Sequence, residues 1–216
     1  MTVLLVLGTL VIFLIADYVV QRFREAKEAA DARQPFTIPA GVSLAANHTW
    51  VKQVRGMTII GLDDFIGRMV GSVESLMLPG IGAGVTPATA AIALCDGDRS
   101  LEIAPPVAGV IVGVNTKVLK NPSLARHDPY GAGWLLKIKT DKRSLSRLRL
   151  LDGAAAGQWL KRQTELAREF FAGALPGPQL VTLQDGGIPV DGVMKLCDAH
   201  TWKEFERQFT GGDTSC

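Results

Sequence analysis

The residues best suited to chemistry in this 216-residue chain lie at positions 95–100, which read CDGDRS. Asp-Gly between two apolar runs is a strong signal for a β-hairpin, so we expect these side chains at an exposed turn. The stretch offers one thiol, two carboxylates and one guanidinium, but no amine. A thiol among carboxylates is a poor nucleophile because negative neighbours disfavour the thiolate, and a protonated guanidinium is not an acyl acceptor.

The acids of this turn allow two interpretations. Asp96, Asp98 and Glu102, with Arg99 beside them, would form an acidic patch that contacts a partner protein. Alternatively, two acids flanking Gly97 simply make a well-solvated turn.

A second candidate for chemistry is Cys197-Asp-Ala-His200, which has the spacing of half a zinc site. Because no second Cys/His pair lies nearby, we predict no metal site. GxSxG, HExxH and P-loop patterns are also absent from the sequence. We therefore predict no catalytic residues and a protein that is not an enzyme.

Residues 137–149 form a basic segment, which contains six basic residues and a single acid, Asp141. The basic residues are Lys137, Lys139, Lys142, Arg143, Arg147 and Arg149. Near a cytoplasmic leaflet each would contribute about 1 kcal/mol of attraction to anionic headgroups. The segment would equally suit an acidic partner, or a solvated strand edge that discourages edge-to-edge pairing.

Residues 1–20 contain one charged side chain, Asp17, and twenty helical residues match a hydrocarbon core of about 30 Å. We predict a membrane-spanning helix over 1–20 and a polar stalk over 21–37. A cleaved signal peptide fits less well because no basic residue precedes the apolar run, and a peripheral helix is a minor alternative. Asp17 is interpreted as an interfacial residue rather than a functional acid.

The orientation follows from the positive charges after the span, Arg22, Arg24, Lys27 and Arg33. They predict a single-pass protein of the inner (cytoplasmic) membrane, with its N-terminus outside and its soluble domain in the cytoplasm. Three cysteines without a CxxC pair suit a reducing compartment. A net charge of +2 and the lack of nucleic-acid-binding motifs argue against nucleic acid as a partner.

The remaining chain divides by its periodicity. Over 38–150, short apolar runs between Gly, Pro, Asn and Asp turns predict a mainly β domain, an antiparallel sandwich or barrel, with a helix over 63–70 capped by Asp63. Over 151–216 we predict a helical extension packed on it, with an amphipathic helix over 152–173 and a strand at 179–183. A final helix opens at Thr201 with a capping-box spacing.

Five motifs in order resemble the H protein of the glycine cleavage system over about residues 48–140. They are HTWV at 48–51, GLDDFIGRMVGSV at 61–73, LPGIG at 78–82, APPVAGVIVGVN at 104–115 and DPYGAGWLLKIK at 128–139. The resemblance implies a lipoyl/biotinyl-type β-sandwich, or barrel-sandwich hybrid, with a projecting hairpin. It also implies structural roles for His48 and His127, which lie in matched motifs.

In that family the hairpin carries a lysine to which lipoate is joined. Counting back from PVAG, the lysine position falls on Asp98, and the glutamate-serine pair ahead of it has become Cys95 and Asp96. No lysine occurs between Lys52 and Lys117. The resemblance therefore implies a degenerate lipoylation site that carries no cofactor.

These features together predict a non-catalytic, membrane-tethered docking or structural subunit whose partners are the membrane and proteins of a membrane-associated complex. The alternative is a lipoyl carrier of glycine cleavage, or of a related lipoate-dependent pathway, modified at an unexpected residue. A third interpretation is a lipid-surface scaffold that uses the basic segment.

Overall fold

The computed structural model of the chain describes residues 36–140, 142–175 and 191–211. The chain divides into two compact units, Met1–Thr37 and Ile38–Cys216, and the elements below belong to the second. The predicted membrane helix over 1–20, nearly all of the predicted stalk and the predicted strand at 179–183 lie outside the described residues. Within the described ranges, no helix has the length and apolar character needed to cross a membrane.

The described strands pair antiparallel in two sheets, as the turn-separated apolar runs predict. Six strands form one sheet in the order β1-β2-β3-β9-β8-β5, and three form the other in the order β4-β6-β7. Their bounds are β1 Ser43–Leu44, β2 Thr49–Val54, β3 Met57–Leu62, β4 Ser75–Met77, β5 Gly84–Val85, β6 Ile92–Asp96, β7 Arg99–Ile103, β8 Gly109–Val114 and β9 Leu136–Thr140. The mainly β architecture of the prediction is confirmed.

Helices connect these strands and follow them along the chain. They are α1 Asp64–Val70, α2 Thr116–Lys120, α3 Leu124–His127, α4 Lys142–Arg147, α5 Gly153–Ala174 and α6 Ala199–Phe205. A 3₁₀ turn, Val193–Leu196, precedes α6, and a π-helical turn, Glu206–Thr210, follows it. The predicted cap of α1 is present, since Asp63 Oδ1 accepts from the amide of Ile66 at 3.1 Å.

The core is built from alternate residues of the strands, since successive side chains point to opposite faces of a sheet. Ile60, Leu136 and Ile138 of the larger sheet and Leu94 and Leu101 of the smaller one are buried. On the other face of the larger sheet, the Trp50 ring covers Gly61. A Cβ on Gly61 would lie 2.7 Å from that ring, so the packing requires glycine.

The long amphipathic helix predicted over 152–173 is α5, Gly153–Ala174, with Asp152 at its N-cap. On this helix Leu166 is 36% exposed, while Thr164 is buried. The hydroxyl of Thr164 donates to the carbonyl of Leu160 at 2.9 Å, which satisfies its polar group inside the packed face.

Two expectations are wrong. β9 lies between β3 and β8, so Lys137 and Lys139 are not on a strand edge, and the edge-protection interpretation of the basic segment fails. The last helix begins at Ala199 rather than at Thr201. Asp198 is the N-cap, and its Oδ1 accepts from the Thr201 amide at 2.8 Å. This bond satisfies one of the backbone donors left free at the start of the helix.

Candidate functional site at the β6–β7 hairpin

The hairpin predicted from Asp-Gly joins β6 to β7 with a two-residue turn. Asp96 pairs with Arg99, which leaves Gly97 and Asp98 as the central residues. Gly97 has φ +63°, and Asp98 is not among the residues with positive φ, the pattern of a type II′ turn. The Gly97 amide donates to Glu74 Oε2 at 3.2 Å, and Asp98 is exposed at the tip.

The two residues that flank the turn face the interior. Asp96 lies on the same face of β6 as the buried Ile92 and Leu94, and only 7% of it is exposed. Arg99 Nη2 donates to Asp96 Oδ2 at 3.2 Å. Asp96 and Arg99 therefore neutralise each other at the base of the turn, and of the predicted acidic patch only Asp98 and Glu102 are exposed.

Arg99 also joins the hairpin to residues 191–211, which we call the C-terminal clasp. Its Nη1 donates to the backbone carbonyls of Lys195 and Cys197, both at 3.1 Å. Its guanidinium carbon lies 5.4 Å from the ring centroid of Trp202, within reach of a cation–π interaction. The arginine predicted to contact a partner is thus used inside the molecule.

An amine does lie beside the hairpin, although not at its tip. Lys195 Nζ donates to Ser72 Oγ at 2.8 Å and lies 3.8 Å from Asp96 Oδ1, with 41% of its side chain exposed. Sequence reasoning missed this lysine because the clasp folds back on the hairpin from far along the chain. No local pattern in the sequence signals that contact.

The clasp also covers the outer edge of β7, which ends the three-stranded sheet. The amide of Glu102 donates to Glu206 Oε2 at 2.8 Å, and the hydroxyl of Thr210 donates to the Glu102 carbonyl at 3.2 Å. These bonds satisfy backbone groups that an open edge would present to another strand.

The clasp is anchored by buried aromatic side chains. Trp202 is 1% exposed, and its indole N–H donates to the Met194 carbonyl at 2.8 Å. Phe205 and Phe209 are buried and stack at 4.5 Å between ring centroids. These aromatic side chains therefore belong to the core.

At its start the clasp meets the end of α1 through two glycines. The Gly192 amide donates to the Arg68 carbonyl at 2.7 Å. Gly71 has φ +75°, and a Cβ there would lie 2.8 Å from Gly192 Cα. Both the left-handed backbone and the close approach require glycine at position 71.

Cys197 and His200, which have the spacing of half a zinc site, do not converge in the fold. The Cys197 thiol is buried and donates to the Val193 carbonyl at 3.6 Å, whereas the His200 side chain is 78% exposed. Burial, with the charge of Asp198, raises the pKa of Cys197 to about 11, which disfavours the thiolate that zinc needs. The described residues contain no group of three or more His, Cys, Asp or Glu side chains able to hold a metal.

A second polar constellation lies inside the domain, where His48 Nδ1 is 2.8 Å from Asp63 Oδ2. Both side chains have zero exposure. The imidazole stacks on Phe65 at 4.2 Å and lies 4.6 Å from the Trp159 ring. Histidine–aspartate pairs serve as bases in hydrolases, but this one is closed to substrate, which fits the structural role that the resemblance implies for His48.

Exclusion of water also raises the pKa values of two neighbouring groups, Asp64 and Tyr130. Burial, reinforced by the like charge of Asp63, raises the pKa of Asp64 to about 6. The Asp64 amide donates to the Tyr130 hydroxyl at 3.5 Å, and burial raises the pKa of that hydroxyl well above its ordinary value.

The other predicted residues lie apart from the hairpin. Lys137 Nζ is 4.6 Å from the Trp134 ring centroid, and Lys139 is opposite Val110 in the larger sheet. Arg143 and Arg147 are on α4, and Arg149 follows it, all three exposed. The backbone of Lys142 begins α4, so the basic segment comprises part of a strand and a short helix.

Comparison with known proteins places the sandwich among glycine cleavage H-proteins, whose family model matches residues 42–163. The H protein of Carboxydothermus hydrogenoformans is 29% identical over 102 residues, 47% of this chain and 78% of that protein. The H protein of Mycolicibacterium vanbaalenii is 32% identical over 110 residues, 50% of this chain and 83% of that protein.

A solved structure shows the same fold. The crystal structure of a glycine cleavage system H protein from Mycobacterium marinum superposes with a TM-score of 0.50 at 24% identity. The match covers 58% of this chain and 98% of that one. The C-terminal clasp, residues 191–211, begins beyond the residues that the family model matches.

Proposed function

Because the chain belongs to the glycine cleavage H-protein family, we propose that it is a member without a lipoyl arm, a non-catalytic docking or structural subunit. In this proposal the sandwich is held at the cytoplasmic face of a membrane and contacts other proteins of a membrane-associated complex. No group on the hairpin takes part in chemistry.

The observation that carries the proposal is the side chain at the tip of the turn. Asp98, the position that the resemblance assigns to the lipoyl lysine, is an exposed carboxylate. A carboxylate cannot form the amide that joins lipoate to a lysine amine. In this proposal the turn therefore offers no acceptor for a swinging arm.

The C-terminal clasp supports the proposal independently. Arg99, next to the tip, bonds two carbonyls of the clasp and the buried Asp96. A hairpin whose base is bonded to another part of the chain is suited to a fixed surface. It is less suited to a site that successive enzymes must each approach and release.

The predicted membrane helix at residues 1–20 supports tethering, since a tether raises the local concentration of a domain for membrane partners. Alkaline extraction of native membranes tests this part of the proposal. An integral protein stays in the pellet, and release into the supernatant would contradict a membrane-spanning anchor.

The loss of the arm is tested by intact mass of the full chain expressed in a lipoylating host. We expect no lipoyl increment, while the host's own H protein, measured in parallel, carries one. Asp98→Lys restores an amine at the tip and serves as the matched variant. A lipoyl increment on the unaltered chain would contradict the proposal.

The second candidate function is a lipoyl carrier in glycine cleavage, which the names of the matched relatives favour. If the unaltered chain carries lipoate, Lys195 is the lysine to examine, because its amine lies beside Asp96 of the hairpin. Lys195→Arg would then remove the increment, and Lys203→Arg, on the exposed side of the same clasp, would leave it.

The partner part of the proposal is tested by affinity purification from detergent-solubilised membranes. We expect stoichiometric co-purification of other subunits. Recovery of the chain alone under conditions that preserve other membrane complexes would argue against a subunit role.

A further inference from the structure

The face of the larger sheet that carries Trp50, which we call the outer face, continues past that ring as a surface of valines and lysines. Val110 and Val112 of β8 are 46% and 40% exposed there. Val110 has Gly84 opposite it on the edge side of the sheet and Lys139 on the other side. Because glycine has no side chain to lay over a neighbour, β5 does not shield Val110 from solvent.

The cross-strand register places two lysines on either side of an isoleucine on this face. Lys52 of β2 is opposite Ile59 of β3, and Ile59 is opposite Lys137 of β9. Residues directly opposite each other share a face of the sheet, and the alternation along β9 adds Lys139 to it. With neighbouring strands about 4.8 Å apart, the backbones of Lys52 and Lys137 are separated by about 10 Å. The outer face therefore combines spaced cations with β-branched side chains.

Acids are scarce on the strands that form this face. The described residues of β2, β3, β8 and β9 include no aspartate or glutamate. Asp141 follows β9 outside the described residues, and counting it against the three lysines still leaves positive charge in excess. Lys137 Nζ lies 4.6 Å from the Trp134 ring centroid, and a neutral ring does not cancel its charge. The outer face is thus a positive surface with apolar residues between its charges.

The cations of this face are lysines, which distinguishes between two kinds of partner. Protein–protein interfaces are depleted in lysine and enriched in arginine, whose rigid fork pairs with a fixed carboxylate. A lysine ammonium is a point charge on a flexible stem, which suits attraction to mobile anionic headgroups while the stem lies along apolar surface. Exposed valines between the lysines add apolar contact at the same surface. The composition of the outer face therefore favours an anionic lipid surface over an acidic protein.

We propose that the outer face lies against an anionic lipid surface, with Lys52, Lys137 and Lys139 at the headgroups and Val110 and Val112 between them. The inference rests on the proposed function, because a tethered domain is held near such a surface. It adds an orientation to that function. The β6–β7 hairpin and the clasp, which belong to or cover the smaller sheet, are left to protein partners.

The test is a lysine footprint of the full chain in vesicles, read by peptide mass spectrometry. The chain is reconstituted in phosphatidylcholine alone or in an equal mixture with phosphatidylglycerol, washed at alkaline pH and floated, and an uncharged acetylating reagent is then added at neutral pH. In the mixed vesicles Lys52 and Lys137 should react about threefold or more slowly than in phosphatidylcholine, because only there do they meet anionic headgroups. The difference should shrink at high salt. Lys203, 57% exposed on the clasp, is the internal control and should react equally in both.

Paired variants separate the charge of this face from the charge of the whole chain. Lys52→Gln/Lys137→Gln should abolish most of the protection of Lys139 in the mixed vesicles. Lys161→Gln/Lys203→Gln removes the same charge from α5 and the clasp, and it should leave that protection unchanged. None of the four substituted lysines is buried, so both variants should fold.

The outcomes distinguish this inference from the tether on which it rests. A chain that floats after the alkaline wash without protection of Lys52 and Lys137 overturns the inference and leaves the tether in place. A chain that does not float overturns both. Equal protection of Lys203 also overturns the inference, since the outer face would then not be distinguished. Protection by poly-glutamate in neutral detergent, but not by the mixed vesicles, overturns it in favour of an acidic protein partner.

Discussion

The tip and the base of the β6–β7 hairpin differ more than their adjacent positions suggest. At the tip, Gly97 and Asp98 are exposed. At the base, Asp96 and Arg99 form an ion pair, and Arg99 bonds two clasp carbonyls. Four consecutive residues therefore divide into a solvated pair and a structural pair.

The difference teaches where the identity of a side chain matters. A turn that faces water tolerates an acid in place of a lysine, because neither makes contacts that the fold needs. At the base we expect substitutions to cost stability, because Asp96 and Arg99 pair with each other and Arg99 bonds the clasp. In this chain Arg99, next to the tip, is half-buried and bonds both Asp96 and the clasp.

The largest effect should come from Trp202→Ala in the clasp. This change removes a buried ring, its hydrogen bond to Met194 and its contact with Arg99. We expect a loss of about 3–5 kcal/mol in the free energy of unfolding. Urea denaturation measures it, with the exposed Leu196→Ala in the same clasp as a control. Equal small losses for both would show that the clasp is not packed.

Arg99→Ala should rank second. It leaves the buried carboxylate of Asp96 without its guanidinium and two clasp carbonyls without a donor, at a cost of about 2 kcal/mol. Arg99→Lys should recover part of that loss, because the charge returns without the forked geometry. Thermal denaturation of the unaltered chain, Arg99→Ala and Arg99→Lys gives the order of their stabilities. A stability of Arg99→Ala equal to that of the unaltered chain would remove the distinction between base and tip.

The clasp should also be sensitive to acid through its helix cap. The hydrogen bond from Thr201 holds the pKa of Asp198 below its ordinary value, so the cap stabilises the fold above that value. This stabilisation is lost as the pH falls through the lowered pKa. Asp198→Ala should therefore lower the Tm at neutral pH, and the difference from the unaltered chain should shrink below about pH 4. A difference that is constant with pH would contradict this.

The smallest effect is expected at the tip itself. Asp98→Ala and Asp98→Lys should each change the free energy of unfolding by less than about 0.5 kcal/mol, because the side chain is exposed. The same denaturation series measures both. A loss comparable with that of Arg99→Ala would mean that the tip, too, has a structural role.

Local signals predicted much of the fold. The hairpin, the Asp63 cap and the span of α5 follow from turn chemistry, capping and 3.6-residue periodicity, which depend on neighbours in the sequence. The wrong expectations concern strand order and a helix start. A run of basic residues in a strand does not reveal whether that strand is central or at an edge. Thr201 has the spacing of a cap, but the oxygen that accepts at the helix start belongs to Asp198.

The candidate site divides in the same way. The sequence determined that position 98 holds a carboxylate in a turn and that no lysine lies nearby along the chain, because covalent identity and turn preference are local properties. Only the tertiary structure decided that Asp96 is buried, that Arg99 and Lys195 lie beside it and that the clasp covers β7. Those contacts join residues about a hundred positions apart. They stabilise the protein only after the chain has folded back on itself, so no local pattern in the sequence predicts them.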